Sequence, residues 1–153
     1  MVRVYLSHSP REKERGIKVQ KILEDIGYEV LNPFSLNLDI DEFHWSDLSE
    51  IRVKDSIKLC KAEINNLLDS DIVLALYPKD MVSIGIPCEI AIAHDYRKTV
   101  ITVIDSKFKG HPWIVYMSSI IIERDELIAE VFRTMLEEIE YLEPLNIPSK
   151  LLS

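Results

Sequence analysis

The chain has 153 residues, enough for one domain of ordinary size, and 47% of them are apolar, so a full core can be buried. Its net charge of −8, without any lysine and arginine cluster, argues against a nucleic-acid or anionic-membrane surface, because such surfaces need a basic stripe. A small phosphorylated ligand stays open, since it needs one arginine and a few N–H and O–H donors.

Two cysteines, Cys60 and Cys88, have no metal-ligand spacing and read as reduced, partly buried thiols. The first residues lack the pattern of a signal peptide, and no apolar run is long enough for a bilayer, so a cytoplasmic protein is expected.

In chain order, VRVYL is a short β-branched and aromatic run and predicts a buried strand. The polar SHSPREKER follows, with Pro10 placed to open a helix. Ile17, Ile22, Leu23 and Ile26 fall on one helical face, and Gly27 ends the helix. YEVL is a second strand, closed by Asn32 and Pro33. From Phe34 to about Glu50 the periodicity fails, giving a long polar and aromatic loop of the kind that forms lids and pocket walls. Ile57, Cys60, Ile64, Leu67 and Leu68 mark a helix. IVLALY is a central strand without alternation, as expected when both faces are covered. KDMVSIGI reads as a loop and PCEIAIAHDY as a helix with Pro87 in its first turn. TVITVI is another buried strand, DSKFKGHPWIVYMS an irregular segment, and SIII a short last strand. Leu127, Ile128, Val131, Phe132, Met135, Leu136 and Ile139 form the apolar face of a final helix. The expected organisation is one domain over 1–143 with a proline-containing tail at 144–153.

Strict alternation of strand and helix predicts a three-layer α/β/α protein, a flavodoxin-like doubly wound sheet of five parallel strands. Ligands of such sheets sit beyond the carboxyl ends of the strands. Glu89 falls there, in the expected first turn of the helix after the third strand. Free N–H groups of that turn favour an anion by about 0.3–1 kcal/mol, which would keep a nucleophilic carboxylate ionised. Gly85 lets a ligand approach the backbone, and Ser83 offers a hydroxyl beside it. Glu63 stands eight residues before Asp71, about 12 Å up the preceding helix at 1.5 Å per residue, within reach of the same edge. Two carboxylates near an anomeric carbon are the arrangement of retaining glycosyl transfer. Tyr5, at the end of the first strand, could orient Glu89 through its hydroxyl.

These residues resemble the nucleoside 2-deoxyribosyltransferase-like superfamily. The likeness lies in VYLSHSPR, then LLDSDIVLALYPKDMVSIGIPCEIAIA, then KTVITVI, over residues 2–122. It implies that Tyr5 orients, that Glu89 attacks C1′, and that Glu63 takes the place of the family's proton-handling Asp. Transferases of this superfamily carry an Asp six residues before the Glu, whereas nucleoside 5′-monophosphate N-glycosidases carry a Ser, and this chain has Ser83. The resemblance assigns Ser9, Arg11, Ser83, Gly85 and Ser118 to the phosphate, with Ser119 beside Ser118, and Ser118 acting across a homodimer interface. It implies a small nucleotide substrate and neither a metal nor an organic cofactor. The chain departs from the family at Pro87 and Ala91, which replace glycines, and at Glu63, which replaces Asp. Phe34, Phe43, His44 and Trp45 would line the base pocket.

VYLSHSPREKERGIKVQKILEDIGYEV also resembles the start of Toll/interleukin-1 receptor-type domains, some of which cleave NAD with a Glu. The sequence thus leaves four readings: nucleotide N-glycosidase, deoxyribosyltransferase, NAD-cleaving domain and non-catalytic nucleotide binder. The spacing from Ser83 through Gly85 to Glu89 and the long loop favour the deoxyribosyltransferase-like superfamily over the receptor-type domains, and Ser83 favours the N-glycosidase within it.

Overall fold

A computed structural model describes residues 1–34 and 53–142. Five strands are present: β1 (Arg3–His8), β2 (Glu29–Leu31), β3 (Ile72–Leu76), β4 (Thr99–Val103) and β5 (Ile120–Ile122). The helices are α1 (Lys13–Ile26), α2 (Val53–Leu68), α3 (Gly85–Asp95), α4 (Pro112–Met117) and α5 (Ile128–Leu142). The strands form one parallel sheet in the order β2-β1-β3-β4-β5, the flavodoxin-like order expected from the sequence. The reversal of order lies between β1 and β3, where Tyr5 pairs with Val73 and Ser7 with Ala75.

The two-residue period of the strands sorts the core into two halves. Val4, Leu6, Ile72, Leu74 and Leu76 face α1 and α5, and Phe132 is among the residues they meet. Tyr5, Val73, Ala75, Val100 and Ile104 face the opposite side, with Leu67, Ile86, Ile90 and Ile114. Central strands without polar alternation follow from this burial on both faces. Gly27, at φ +122°, ends α1 with its N–H on the Leu23 and Glu24 carbonyls. Lys98 Nζ donates to the Leu68 and Ser70 carbonyls at 2.7 Å each and so caps the end of α2. Tyr28 donates its hydroxyl to the Phe132 carbonyl at 2.7 Å and tethers α5 to the sheet.

The start of α1 is set by contact rather than by propensity. The His8 ring is buried, with Nε2 3.0 Å from Asn32 Oδ1 and Nδ1 3.1 Å from the Ser9 carbonyl. A Cβ on Gly16 would meet that ring at 2.5 Å, so only glycine lets the helix come this close. Phe34 closes the other side, edge-on to His8 at 4.8 Å.

Several boundaries differ from the sequence-based expectation. The first strand runs on through His8, which places Tyr5 in mid-strand instead of at its end. Pro10 opens a 3-10 turn (Pro10–Glu12), and α1 starts only at Lys13. Its buried positions are Gly16, Val19 and Leu23, while Ile17 is exposed. In α2 the inward residues include Leu59 and Leu67, and Ile57 is exposed. Both cysteines are exposed as well, contrary to the partly buried thiols expected. The segment read as irregular contains α4, whose Ile114 alone is deeply buried. The expected loop at 34–50 lies, past Phe34, outside the described residues, as do Phe43, His44, Trp45 and the tail at 144–153. No helix among the described residues is long and apolar enough to cross a membrane.

Candidate functional site

Three elements bring the reactive side chains together. β1 supplies Tyr5 and Ser7 on one face, α3 supplies Glu89 above them, and α2 supplies Glu63. Tyr5 and Ser7 are fully buried, and Glu89 is a partly buried residue whose Oε2 is sealed from solvent. Tyr5 Oη, Ser7 Oγ and Glu89 Oε2 each lack a hydrogen-bond partner among the described residues. Both hydroxyls are nonetheless close enough to Glu89 to lower its pKa as donors would, so they approach the carboxyl without meeting hydrogen-bond geometry.

Charge in this pocket is costly. Burial, the largest influence, pushes Glu89 up from the ordinary 4.5 to about 8; Ser7 opposes this, Glu63 adds to it, and Tyr5 opposes it more weakly. The expectation that a helix start keeps Glu89 ionised therefore does not hold. The helix begins at Gly85, so Pro87 is its third residue and Glu89 its fifth, beyond the first turn. Even at the terminus a gain of about 0.3–1 kcal/mol is less than one pKa unit, and desolvation outweighs it. Burial also lifts Glu63 to about 6. The Tyr5 phenol is raised well above its usual range, first by burial and then by the Glu89 and Glu63 charges.

Of the residues assigned to phosphate, Ser9, Arg11 and Ser83 fall in adjoining segments after β1 and β3, and Gly85 opens α3. Ser9 is buried, and its Oγ accepts from the Arg11 N–H at 3.3 Å. Arg11 reaches across to the loop after β3, donating to both Asp80 oxygens at 3.1 and 3.3 Å and to the Val82 carbonyl at 2.9 Å. Asp80 also accepts from the Val82 N–H, and Met81 sits at φ +61° to complete the turn. Ser83, next along, accepts from the Ile86 N–H at 3.2 Å and so caps α3. At Gly85 a Cβ would meet nothing described within 4 Å. Ser9, Arg11 and Ser83 thus share one neighbourhood. Ser118 is placed apart from them, at the end of α4, sharing a 2.7 Å hydrogen bond with Thr102, while Ser119 accepts from the Val100 N–H.

A cleft of about 630 Å³ opens beside this loop, lined by Arg11, Arg15, Lys79, Asp80, Asp105 and Asp125 among others, and it shares only Arg11 with the residues singled out from the sequence. Among the described residues, no three His, Cys, Asp or Glu side chains gather as a metal site requires.

No protein-family model and no curated protein sequence matches the chain. Solved structures do. A 2-deoxyribosyltransferase from the psychrotolerant bacterium Bacillus psychrosaccharolyticus superposes with TM-score 0.64 at 14% identity, over 84% of this chain and 90% of its own. The Clostridium botulinum CMP N-glycosidase BcmB gives 0.56 at 20% identity, over 84% and 97%. A conserved protein from Enterococcus faecalis V583 gives 0.62 at 13% identity, over 88% and 98%. The chain shares the fold of these structures, a 2-deoxyribosyltransferase and a CMP N-glycosidase among them. Within that fold, Ser7 and Asp80 are the two site-side residues that sequence reading passed over. In the sequence Ser7 opens the polar run SHSPREKER, and an aspartate in a polar loop looks like solvation; only the sheet register and the Arg11 contact reveal them.

Proposed function

We propose that this protein is an N-glycosidase that hydrolyses a (deoxy)ribonucleoside 5′-monophosphate to free base and sugar 5-phosphate. The observation that carries the reading is the grouping of Glu89, Glu63 and Tyr5 at the topological switch of the sheet. Between about pH 6 and about 8 the two carboxyls together hold one proton. Retaining glycosyl transfer needs that count: one carboxylate to attack and one acid to give. In the reacting form the proton has passed to Glu63. A Glu89 oxygen then bonds to C1′, the C–N bond breaks, and the base leaves with the Glu63 proton. Water attacks the glycosyl–enzyme ester at C1′, Glu63 takes the water's proton, and Glu89 is released as carboxylate. Ser9, Arg11 and Ser83 would hold the phosphate, with Gly85 giving it access and Ser118 reaching it from a second copy in a homodimer. A soluble, cytoplasmic setting suits such a substrate.

One contact favours a second reading. Arg11 already has a carboxylate partner in Asp80, so a phosphate must displace Asp80 to use the guanidinium. The pair is half-exposed and weak, and a dianion should prevail. If it does not, the substrate is an uncharged nucleoside and an acceptor base replaces water. Matched nucleoside and nucleotide pairs, with NAD alongside, decide this by chromatography of the released base. Removing the phosphate should abolish most turnover, because remote binding energy supports the chemistry. Equal turnover of both members of a pair supports the transferase instead, and release of nicotinamide alone supports the NAD-cleaving reading. A protein that binds the ligands without releasing base is a nucleotide-binding module.

A further inference from the structure

The hydroxyl of Ser7 is a buried donor in the central strand pair that serves no structural partner among the described residues. β1 turns Tyr5 and Ser7 to the same face, and Ser7 pairs in register with Ala75 of β3, whose side chain is only a methyl group. Most buried serine hydroxyls bond to nearby backbone, as Ser70 does to the Leu67 carbonyl at 2.6 Å. Ser7 Oγ instead is unpaired, fully enclosed, and beside an equally unpaired Glu89 Oε2. An alanine would fill the same space without the cost of desolvating a hydroxyl, so the hydroxyl calls for a reason outside packing. Its neighbourhood supplies one. Among the described residues, Tyr5 from β1 and Glu63 and Cys60 from α2 are the titratable groups that interact with Glu89, with Cys88 next to it on α3, and none of them is a cation. Among the described residues, the groups that can stabilise an ionised Glu89 are neutral donors, and two lie beside it.

We propose that Ser7 is a positioning residue: its hydroxyl donates to the Glu89 carboxylate in the reacting form, fixing which oxygen is held and which is free to attack. Tyr5 and Ser7 thus make a two-hydroxyl cradle, one donor from each turn of the strand pleat. This rests on the reading of Glu89 as the reacting carboxylate.

The experiment titrates ¹³C-labelled glutamate by NMR in the substrate-free wild type and in Ser7→Ala, and follows base release against pH in both. The higher of the two site titrations should move up by about one pH unit in Ser7→Ala, a tenfold change in acid constant, while the lower one stays. The alkaline limb of the activity profile should move with it. Ser7→Thr, which keeps the hydroxyl, should restore the wild-type titration. If Ser7→Ala fails to fold, Ser7→Cys, close in size but a weak donor, carries the same comparison. An unmoved Glu89 titration in a folded variant overturns the proposal and leaves Ser7 as packing. Absence of base release from every variant overturns the glycosidase reading while the NMR comparison still decides the role of Ser7.

Discussion

Two clusters of ionisable side chains lie on opposite faces of the sheet and are treated in opposite ways. On the α1 and α5 side, Arg15 donates from all three of its guanidinium nitrogens. It gives two hydrogen bonds to Asp125 at 2.8 and 2.7 Å, one to Glu12 at 3.2 Å and one to the Tyr77 carbonyl at 2.9 Å. On the α2 and α3 side, Tyr5 Oη, Ser7 Oγ and Glu89 Oε2 lie together with no closed hydrogen bond among the described residues. The first arrangement lowers the energy of the folded chain; the second raises it. A polar group that is buried and left unsatisfied survives where it has another use, and this contrast singles out the β1–α3 pocket more firmly than any single residue does.

Substitutions can break the contrast from either side. Glu89→Gln has the largest effect: base release should fall by roughly thousandfold or more with the fold retained. The same variant should melt at a higher temperature than wild type at pH 9, since it removes a charge from a buried site. Titration comes next. Base release should follow a bell with limbs near 6 and 8, because below the lower value no carboxylate attacks and above the higher value no acid gives a proton. Stability has a matching sign. Glu89 holds its proton more tightly folded, at about 8, than at the ordinary 4.5, so its stabilisation is full below about 4.5 and lost as pH rises through about 8. Melting temperature measured across that window should fall in wild type and stay flatter in Glu89→Gln. Arg15→Ala is the smallest change and the sharpest control: it should lose about 1–2 kcal/mol of stability in urea melts while base release per folded molecule is kept.

How much of this was legible beforehand varied with the kind of force involved. Three of the five strands stood out because IVLAL and TVITV are unbroken apolar or β-branched runs and VRVYL is one apart from Arg3. The order of the sheet followed from the alternation of strand and helix. The placing of Glu63 near Glu89 could be reached by counting rises along a helix and a strand, and the two carboxyls do influence each other. What could not be read was the state of those carboxyls. Protonation depends on how much of the protein covers a group, and nothing in SIGIPCEIAIA reports that cover. Ile17 and Ile57 were misplaced for a related reason: on helices with few apolar residues, the inward face is chosen by the partner, so Gly16 and Val19 point in and Ile17 points out. Ser9 and Arg11 could be named, but Arg11 is paired with a residue sixty-nine positions away, and such a partner is invisible in one dimension.

The fit between His8 and Gly16 carries a lesson about how this chain can change over time. Alanine is the better helix former by about 1 kcal/mol, yet its methyl group would overlap the imidazole. Position 16 is therefore not free to drift toward the residue that its own helix prefers. It can do so only after position 8 has shrunk, and losing the ring would also cost Asn32, just past β2, one of its hydrogen bonds. The two positions form an epistatic pair, so a descendant chain that keeps the histidine keeps the glycine.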